Sequence, residues 1–306
     1  MTKPFYNIIF CIFGCDTIEK YRREILKIKE TWGKEPPVPT GKVPKEPTEK
    51  EPQVPTGKEP PVPTGKVPKE PTEKVPKEPT EKEPTEKEPT SDNKFLFFLG
   101  EHGPFQGDDY IHLENVENDY LSASHKQYDG LKYIYKKYDF NYIFICGTDT
   151  YVLTKNLTKY LEEDPRISPD KPLVIGGHGD NRQICGDTLH FFSGGGGIIL
   201  TKATMDIIHT ELNTMQEEWT WICFENGYHT YTPACDLSLC YFLKRRGITF
   251  VNVEHRFFNC NYLGYYFGVH DCCAKYVNLA TMISCHHMSP DDFDILYENS
   301  IYDKNQ

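Results

Sequence analysis

The chain has 306 residues, 38% of them hydrophobic, a net charge of −11 and a pI near 5.5. No run of Lys and Arg is present to neutralise a phosphate backbone, which argues against nucleic-acid binding. An acidic protein that handles an anionic ligand must gather positive charge locally, from a metal ion or from helix N-termini.

The N-terminal stretch MTKPFYNIIFCIFGCD contains an apolar run too short to cross a bilayer and without a small-residue cleavage site, so it is expected to form a buried first strand, Tyr6–Phe13. No other stretch approaches a membrane span. The expectation is a soluble, cytoplasmic or otherwise intracellular protein with no integral membrane segment. A helix follows, with Asp16 and Glu19 in a capping-box pattern. Ile18, Tyr21, Ile25, Ile28 and Trp32 recur at helical spacing and predict one buried stripe.

From Glu35 to Asp92 the composition changes. Units of the form EPPVPTGK and VPKEPTEK repeat, and sixteen of the 23 prolines lie there, with no aromatic residue and no cysteine. Such a segment has nothing to bury against its ordering entropy and is expected to be extended, solvated and disordered. Only one strand and one helix precede it, too little to fold alone. KFLFFLG, a second buried-type strand, follows directly. Strand, helix and strand make a βαβ unit, so residues 35–92 are expected to interrupt a single domain formed by residues 1–34 and 93–306. Loop-closure cost grows only logarithmically with length, which makes such an insertion tolerable.

The elements that follow alternate. SASHKQYDGLKYIYKKY is helical, with Leu131, Ile134, Tyr135 and Tyr138 on one face; YIFIC is a strand; Thr154–Glu163 is a helix; KPLVIGG is a strand. FFSGGGGIIL is a glycine-broken strand or hairpin, KATMDIIHTELNTM a helix, and ACDLSLCYFLKRRG a helix that opens with an acid. This order predicts an α/β fold with a mainly parallel sheet flanked by helices. Ligands in such sheets bind beyond the carboxyl ends of the strands. The eleven cysteines lack zinc-finger spacing and read mainly as reduced, buried thiols, with a disulfide framework as the other reading. Asn156-Leu-Thr158 matches a glycosylation sequon by chance.

Four local features can bear chemistry. Asp149, in YIFICGTDTYV, stands where a buried strand ends. It suits a hard divalent cation held against a diphosphate, or a turn or N-cap. Ser193–Gly197, SGGGG, lacks a phosphate-loop lysine; its glycines allow a ligand close to the backbone, or form a turn. Asp236 lies near a helix start among Leu237, Leu239, Tyr241 and Phe242, a setting for a general base or for a plain N-cap. His286 and His287 are imidazoles suited to a Mn²⁺-type ion, or surface residues.

Taken in order, these segments resemble glycosyltransferase family 31, the β-1,3-glycosyltransferases that include the Fringe enzymes and the core 1 galactosyltransferase. YRREILKIKETWGK resembles that family's first helix and its Thr-Trp-Gly ending. Lys126 stands where the family usually has a lysine. GTDTYV resembles the acidic Asp-Asp-Asp-Thr-[FY]-Val motif, FFSGGGGIIL the Ser-Gly-Gly-Gly segment, and ACDLSLCYFLKRRGI the Glu-Asp-Val-x-x-Gly helix, with Asp236 on the aspartate. The likeness spans nearly everything outside residues 35–92. Gly147 and Thr148 take the places of the first two family acids, leaving Asp149 alone.

The resemblance implies a GT-A-type, Rossmann-like fold and an inverting, metal-dependent transfer of a hexose or N-acetylhexosamine from a UDP-sugar to a hydroxyl of a glycan or glycoprotein. It implies Asp149 and His286 as ligands of Mn²⁺ or Mg²⁺, and Asp236 as the base. Arg22, Arg23, Lys126, Thr148 and Asp149 would line the donor, and the backbone of Gly194, Gly195 and Gly196 would lie against sugar or acceptor. A solvated helix face is the other reading of the cations. A bacterial cytosol and a host cell of a large virus that builds its own glycans are both compatible settings. The missing acids open an alternative, a catalytically inactive transferase-like chaperone or glycan-binding protein. A display protein whose repeat is the active part is another.

Overall fold

The computed structural model describes residues 3–34, 93–261 and 278–302. The disordered insertion expected at 35–92 and the adjacent Cys272 and Cys273 lie outside the described residues.

The elements run β1 (Phe5–Phe13), α1 (Glu19–Glu30), β2 (Lys94–Leu99), β3 (Tyr110–His112), α2 (Ala123–Lys137), β4 (Asp139–Gly147), β5 (Tyr151–Val152), α3 (Thr154–Glu163) and β6 (Leu173–Gly176). Then come β7 (His178–Ile184), β8 (Asp187–Phe192), β9 (Ile198–Thr201), α4 (Lys202–Ile208), α5 (Leu212–Glu225), α6 (Cys235–Arg245), β10 (Thr249–Asn252), β11 (Phe257–Phe258), β12 (Ser284–Cys285) and α7 (Pro290–Tyr302).

Seven strands form the central sheet in the order β10-β6-β9-β4-β1-β2-β3. All neighbours are parallel except β9, which runs antiparallel to both β4 and β6. The chain is therefore a mixed α/β protein with a mostly parallel sheet flanked by helices. β1 and β2, the strands on either side of the repeat, are direct neighbours paired from Ile9↔Lys94 to Phe13↔Phe98.

Strand residues alternate between two cores, as a sheet covered on both faces requires. Ile9 and Cys11 of β1, with Ile143 and Ile145 of β4, join residues of α2, α4, α5 and α6 in one core. Ile8, Phe10 and Ile12, with Tyr142, Phe144 and Cys146, join α1, α3 and α7 in the other. Cys11, Cys15, Cys146, Cys223, Cys235 and Cys240 are buried and Cys185 is exposed.

Several local expectations need correction. Ile18, not Asp16, is the N-cap of α1, and no side chain caps it. The Asp16 carboxylate instead accepts the backbone N–H of Phe105 at 3.1 Å and an amide hydrogen of Asn118 at 3.3 Å. Ile18 leaves the predicted stripe and is exposed, whereas Glu24 enters it, fully buried. The single helix expected over Lys202–Met215 is two, α4 ending at Ile208 and α5 starting at Leu212, and the carboxylate of Glu211 between them accepts from Arg246 at the end of α6. Asn156 of the sequon donates both amide hydrogens to the carbonyls of Leu279 and Met282.

Among the described residues no helix is long and apolar enough to cross a membrane.

Candidate functional site

The site forms where β4 ends. Beyond Gly147 the chain turns through Thr148 and Asp149 into β5, which pairs antiparallel with β12 in the register Tyr151↔Cys285 and Val152↔Ser284. Continuing that register brings His286 and His287 back over Thr150 and Asp149, and the Met288 N–H donates to the Asp149 carbonyl at 3.0 Å. A short ladder thus joins an aspartate and two histidines that are far apart in sequence. His287 takes a positive φ of 57°, which turns the chain away from the ladder.

The Asp149 carboxylate lies 3.3 Å (Oδ1) from His286 Nε2 and 3.8 Å (Oδ2) from His287 Nδ1. The imidazoles face each other with ring centroids 3.8 Å apart. One ligand atom from each of the three residues falls within 4.8 Å of the others. His286 Nδ1 is 3.3 Å from the Asn259 carbonyl. In the neutral tautomer that a metal ligand needs, an Nδ1 proton would donate to that carbonyl and Nε2 would be free for an ion, whereas without an ion a protonated ring donates from Nε2 to Asp149. Burial opposes the charge of Asp149, but the hydrogen bond and charge of His286, with help from His287 and Lys20, outweigh it and hold the carboxyl below its ordinary value. One carboxylate oxygen and two imidazole nitrogens fit a Mn²⁺-type divalent ion.

Across from this cluster stands Asp236. It is not the N-cap of α6; that position is Ala234. Asp236 sits in the first turn, where Oδ1 accepts the Leu237 N–H at 2.8 Å and Oδ2 accepts the Gly194 N–H at 2.9 Å. Burial pushes its carboxyl up, and the backbone N–H donors and His286 only partly reverse this, so the net shift is upward.

The SGGGG turn separates Asp236 from His286. Because β9 is antiparallel, its start at Ile198 lies level with Ile145 of β4 and Gly176 of β6. Ser193–Gly197 therefore meets the carboxyl edge of the parallel strands. The turn is pinned there: Thr150 donates to the Gly195 carbonyl at 2.9 Å and Ser284 to that of Gly196. A Cβ at Gly195 would overlap His286 and one at Gly196 would crowd Asn259 at 2.8 Å, while at Gly194 it would press on Asp236 at 3.0 Å. The glycines thus let the turn lie between the acid and the imidazole.

Thr148 is buried and donates to Glu24 Oε2 at 2.5 Å. Glu24 is the residue that sequence reading missed. Its side chain has no exposed surface, Oε1 has no hydrogen bond, and the mostly exposed Lys20 ammonium stands 3.8 Å away. Burial raises its carboxyl above the ordinary value, and the charge of Asp149 adds to the rise, against the lowering by Thr148 and Lys20. The signal was legible: position 24 falls between Tyr21 and Ile28 at helical spacing, an acid on the apolar stripe.

The three candidate cations have other neighbours. Lys126 is buried, with its ammonium 3.2 Å from the Asp119 carbonyl. Burial lowers its pKa against the pull of Cys15, Asp119 and Asp16. The Arg22 guanidinium lies 3.5 Å from Glu19 and 5.9 Å from the centre of the Phe105 ring, and its Nε is buried without a hydrogen bond. Arg23 is exposed and lies 3.7 Å from Asp291 of α7.

No family model matches this chain, and no curated protein matches it.

Proposed function

We propose that the protein is an inverting glycosyltransferase of GT-A type that moves a hexose or N-acetylhexosamine from a UDP-sugar to an acceptor hydroxyl, with Mn²⁺ or Mg²⁺ as cofactor. The observation that carries this reading is the gathering of Asp149, His286 and His287 within ligand distance of one another at the carboxyl edge of a mostly parallel sheet. The resemblance of its motifs to glycosyltransferase family 31, which names Asp149 and His286 as ligands, points to the same reading.

Asp149 and His286, joined by His287, are the groups to hold the cation. When bound, the ion supplies electrostatic stabilisation of the negative charge that develops on the leaving diphosphate. Asp236 takes the proton from the acceptor hydroxyl as that oxygen attacks the anomeric carbon. The bond from that carbon to the diphosphate breaks in the same step, and attack from the opposite side inverts the configuration. A raised carboxyl suits this role better than an ordinary one, since a stronger base accepts the proton more readily. The Gly194 N–H fixes the Asp236 carboxylate in place.

The test is hydrolysis and transfer with a panel of UDP-sugars in Mn²⁺, followed by release of UDP. Turnover that requires both Mn²⁺ and Asp236 supports the reading. Metal-independent turnover would overturn the role of the cation, and no turnover with any donor while UDP still binds would favour the inactive binding protein instead.

A further inference from the structure

We infer that Glu24 belongs to the cation site as its second negative charge, acting from behind Thr148 to make the site selective for a divalent ion. This rests on the metal-site reading of Asp149, His286 and His287 and extends it to a residue on a different element.

The argument begins with an unsatisfied group. A carboxylate taken fully out of water is costly unless paired and hydrogen-bonded. Glu24 has no exposed surface, and only Oε2 has a hydrogen bond, from Thr148. Oε1 has none, and its nearest cation, Lys20, is mostly exposed and beyond hydrogen-bonding distance at 3.8 Å. Such a group in the middle of an apolar stripe, between Tyr21 and Ile28, contributes nothing to packing that a leucine would not do better.

Its location supplies a purpose. The residue it grips, Thr148, directly precedes Asp149, whose carboxylate faces both imidazoles. Neutral histidines bring no charge, so before a diphosphate binds, Asp149 alone leaves a bound divalent ion with an excess of one positive charge in a partly buried place. Glu24 brings the site to two negative charges, matching the ion. The hydrogen bond to Thr148 also fixes the turn from which Asp149 projects, as outer partners of metal ligands do. Glu24 is therefore a positioning and charge-balancing residue, and through it α1 contributes to the site.

The experiment is Mn²⁺ titration of the full chain by calorimetry and by electron paramagnetic resonance, without nucleotide or sugar. Wild type, Glu24→Gln, Glu24→Asp and Asp149→Ala are compared, with circular dichroism to verify folding. Glu24→Gln keeps the shape and an acceptor for Thr148 but removes the charge. It is expected to weaken Mn²⁺ by about ten- to a hundredfold, with one site per chain retained, and Glu24→Asp to recover part of the loss. Asp149→Ala is expected to lose the site. Equal Mn²⁺ affinity in wild type and Glu24→Gln overturns the role of Glu24 while leaving the cluster intact. Absence of Mn²⁺ binding in wild type overturns both. Should Glu24→Gln fail to fold, Glu24→Leu, which also removes the charge, is read by the same criterion: unchanged affinity sinks the proposal.

Discussion

Gly195 lies so close to His286 that a Cβ on it would stand 2.2 Å from the ring nitrogen Nδ1. One residue earlier, the Gly194 N–H donates to Asp236 at 2.9 Å. Two successive glycines thus touch the candidate metal ligand and the candidate base, and the turn between them sets how far apart those groups stand.

Gly195→Ala tests that spacing. The methyl group has no room, and the ring it meets is held by the Asn259 carbonyl and by β12. The expected cost is about 1–3 kcal/mol from overpacking, seen as a lower midpoint in urea, together with weaker Mn²⁺ binding because Nε2 is moved off Asp149. Unchanged melting and Mn²⁺ affinity would mean that His286 is free to turn, and that the turn does not fix the site.

Asp236→Asn separates the base from the cation site. Transfer is expected to fall by about 10²–10⁴-fold, while Mn²⁺-dependent UDP binding, measured by calorimetry, stays within a factor of a few. Because burial raises the carboxyl of Asp236, the acid limb of kcat/KM for wild type should fall at a pH above the ordinary aspartate value. A limb at or below that value would assign the proton to another group.

Much of this architecture was legible because it follows from periodicity. The apolar runs of β1 and β4 and the stripe of Ile25 and Ile28 alternate or recur as buried elements must, and the position of Asp149 follows from the end of its strand. What could not be read depends on contacts distant in sequence. β5 and β12 have two residues each, too few to give a pattern, yet their pairing delivers both histidines to Asp149. Asp16 satisfies a capping rule in sequence but is claimed by Phe105 and Asn118, partners that only the fold brings near. Glu24 was visible as an acid on an apolar face, but its meaning depends on Thr148.

Replacing residues 35–92 with a short Gly-Ser linker tests whether the repeat is needed by the fold. β1 and β2 are hydrogen-bonded neighbours joined through α1, so their pairing is satisfied by residues outside the repeat. The shortened chain is expected to keep its far-ultraviolet circular dichroism, its cooperative melting and its Mn²⁺ affinity. Loss of cooperative melting would show that the repeat stabilises the sheet, while loss of metal binding alone would tie it to the site.

Glu24→Gln makes a prediction about stability opposite in direction to its effect on metal binding. The folded protein raises the carboxyl of Glu24 above its ordinary value of 4.5, chiefly through burial. The folded state therefore holds this proton more tightly than the unfolded chain. That preference stabilises the fold fully below the unfolded value and is lost as pH rises through the folded one. Once ionised, and in the absence of metal, wild type bears a buried charge with one oxygen that has no hydrogen bond, which Gln does not. The variant is expected to melt higher than wild type at pH 7.5, and the difference should shrink as pH falls toward 4. Saturating Mn²⁺ should reverse the order at neutral pH, because a ligand that binds the folded state stabilises the tighter binder more. A variant less stable than wild type at neutral pH without metal would mean that Lys20 already balances Glu24, and that the carboxylate serves the fold rather than the cation.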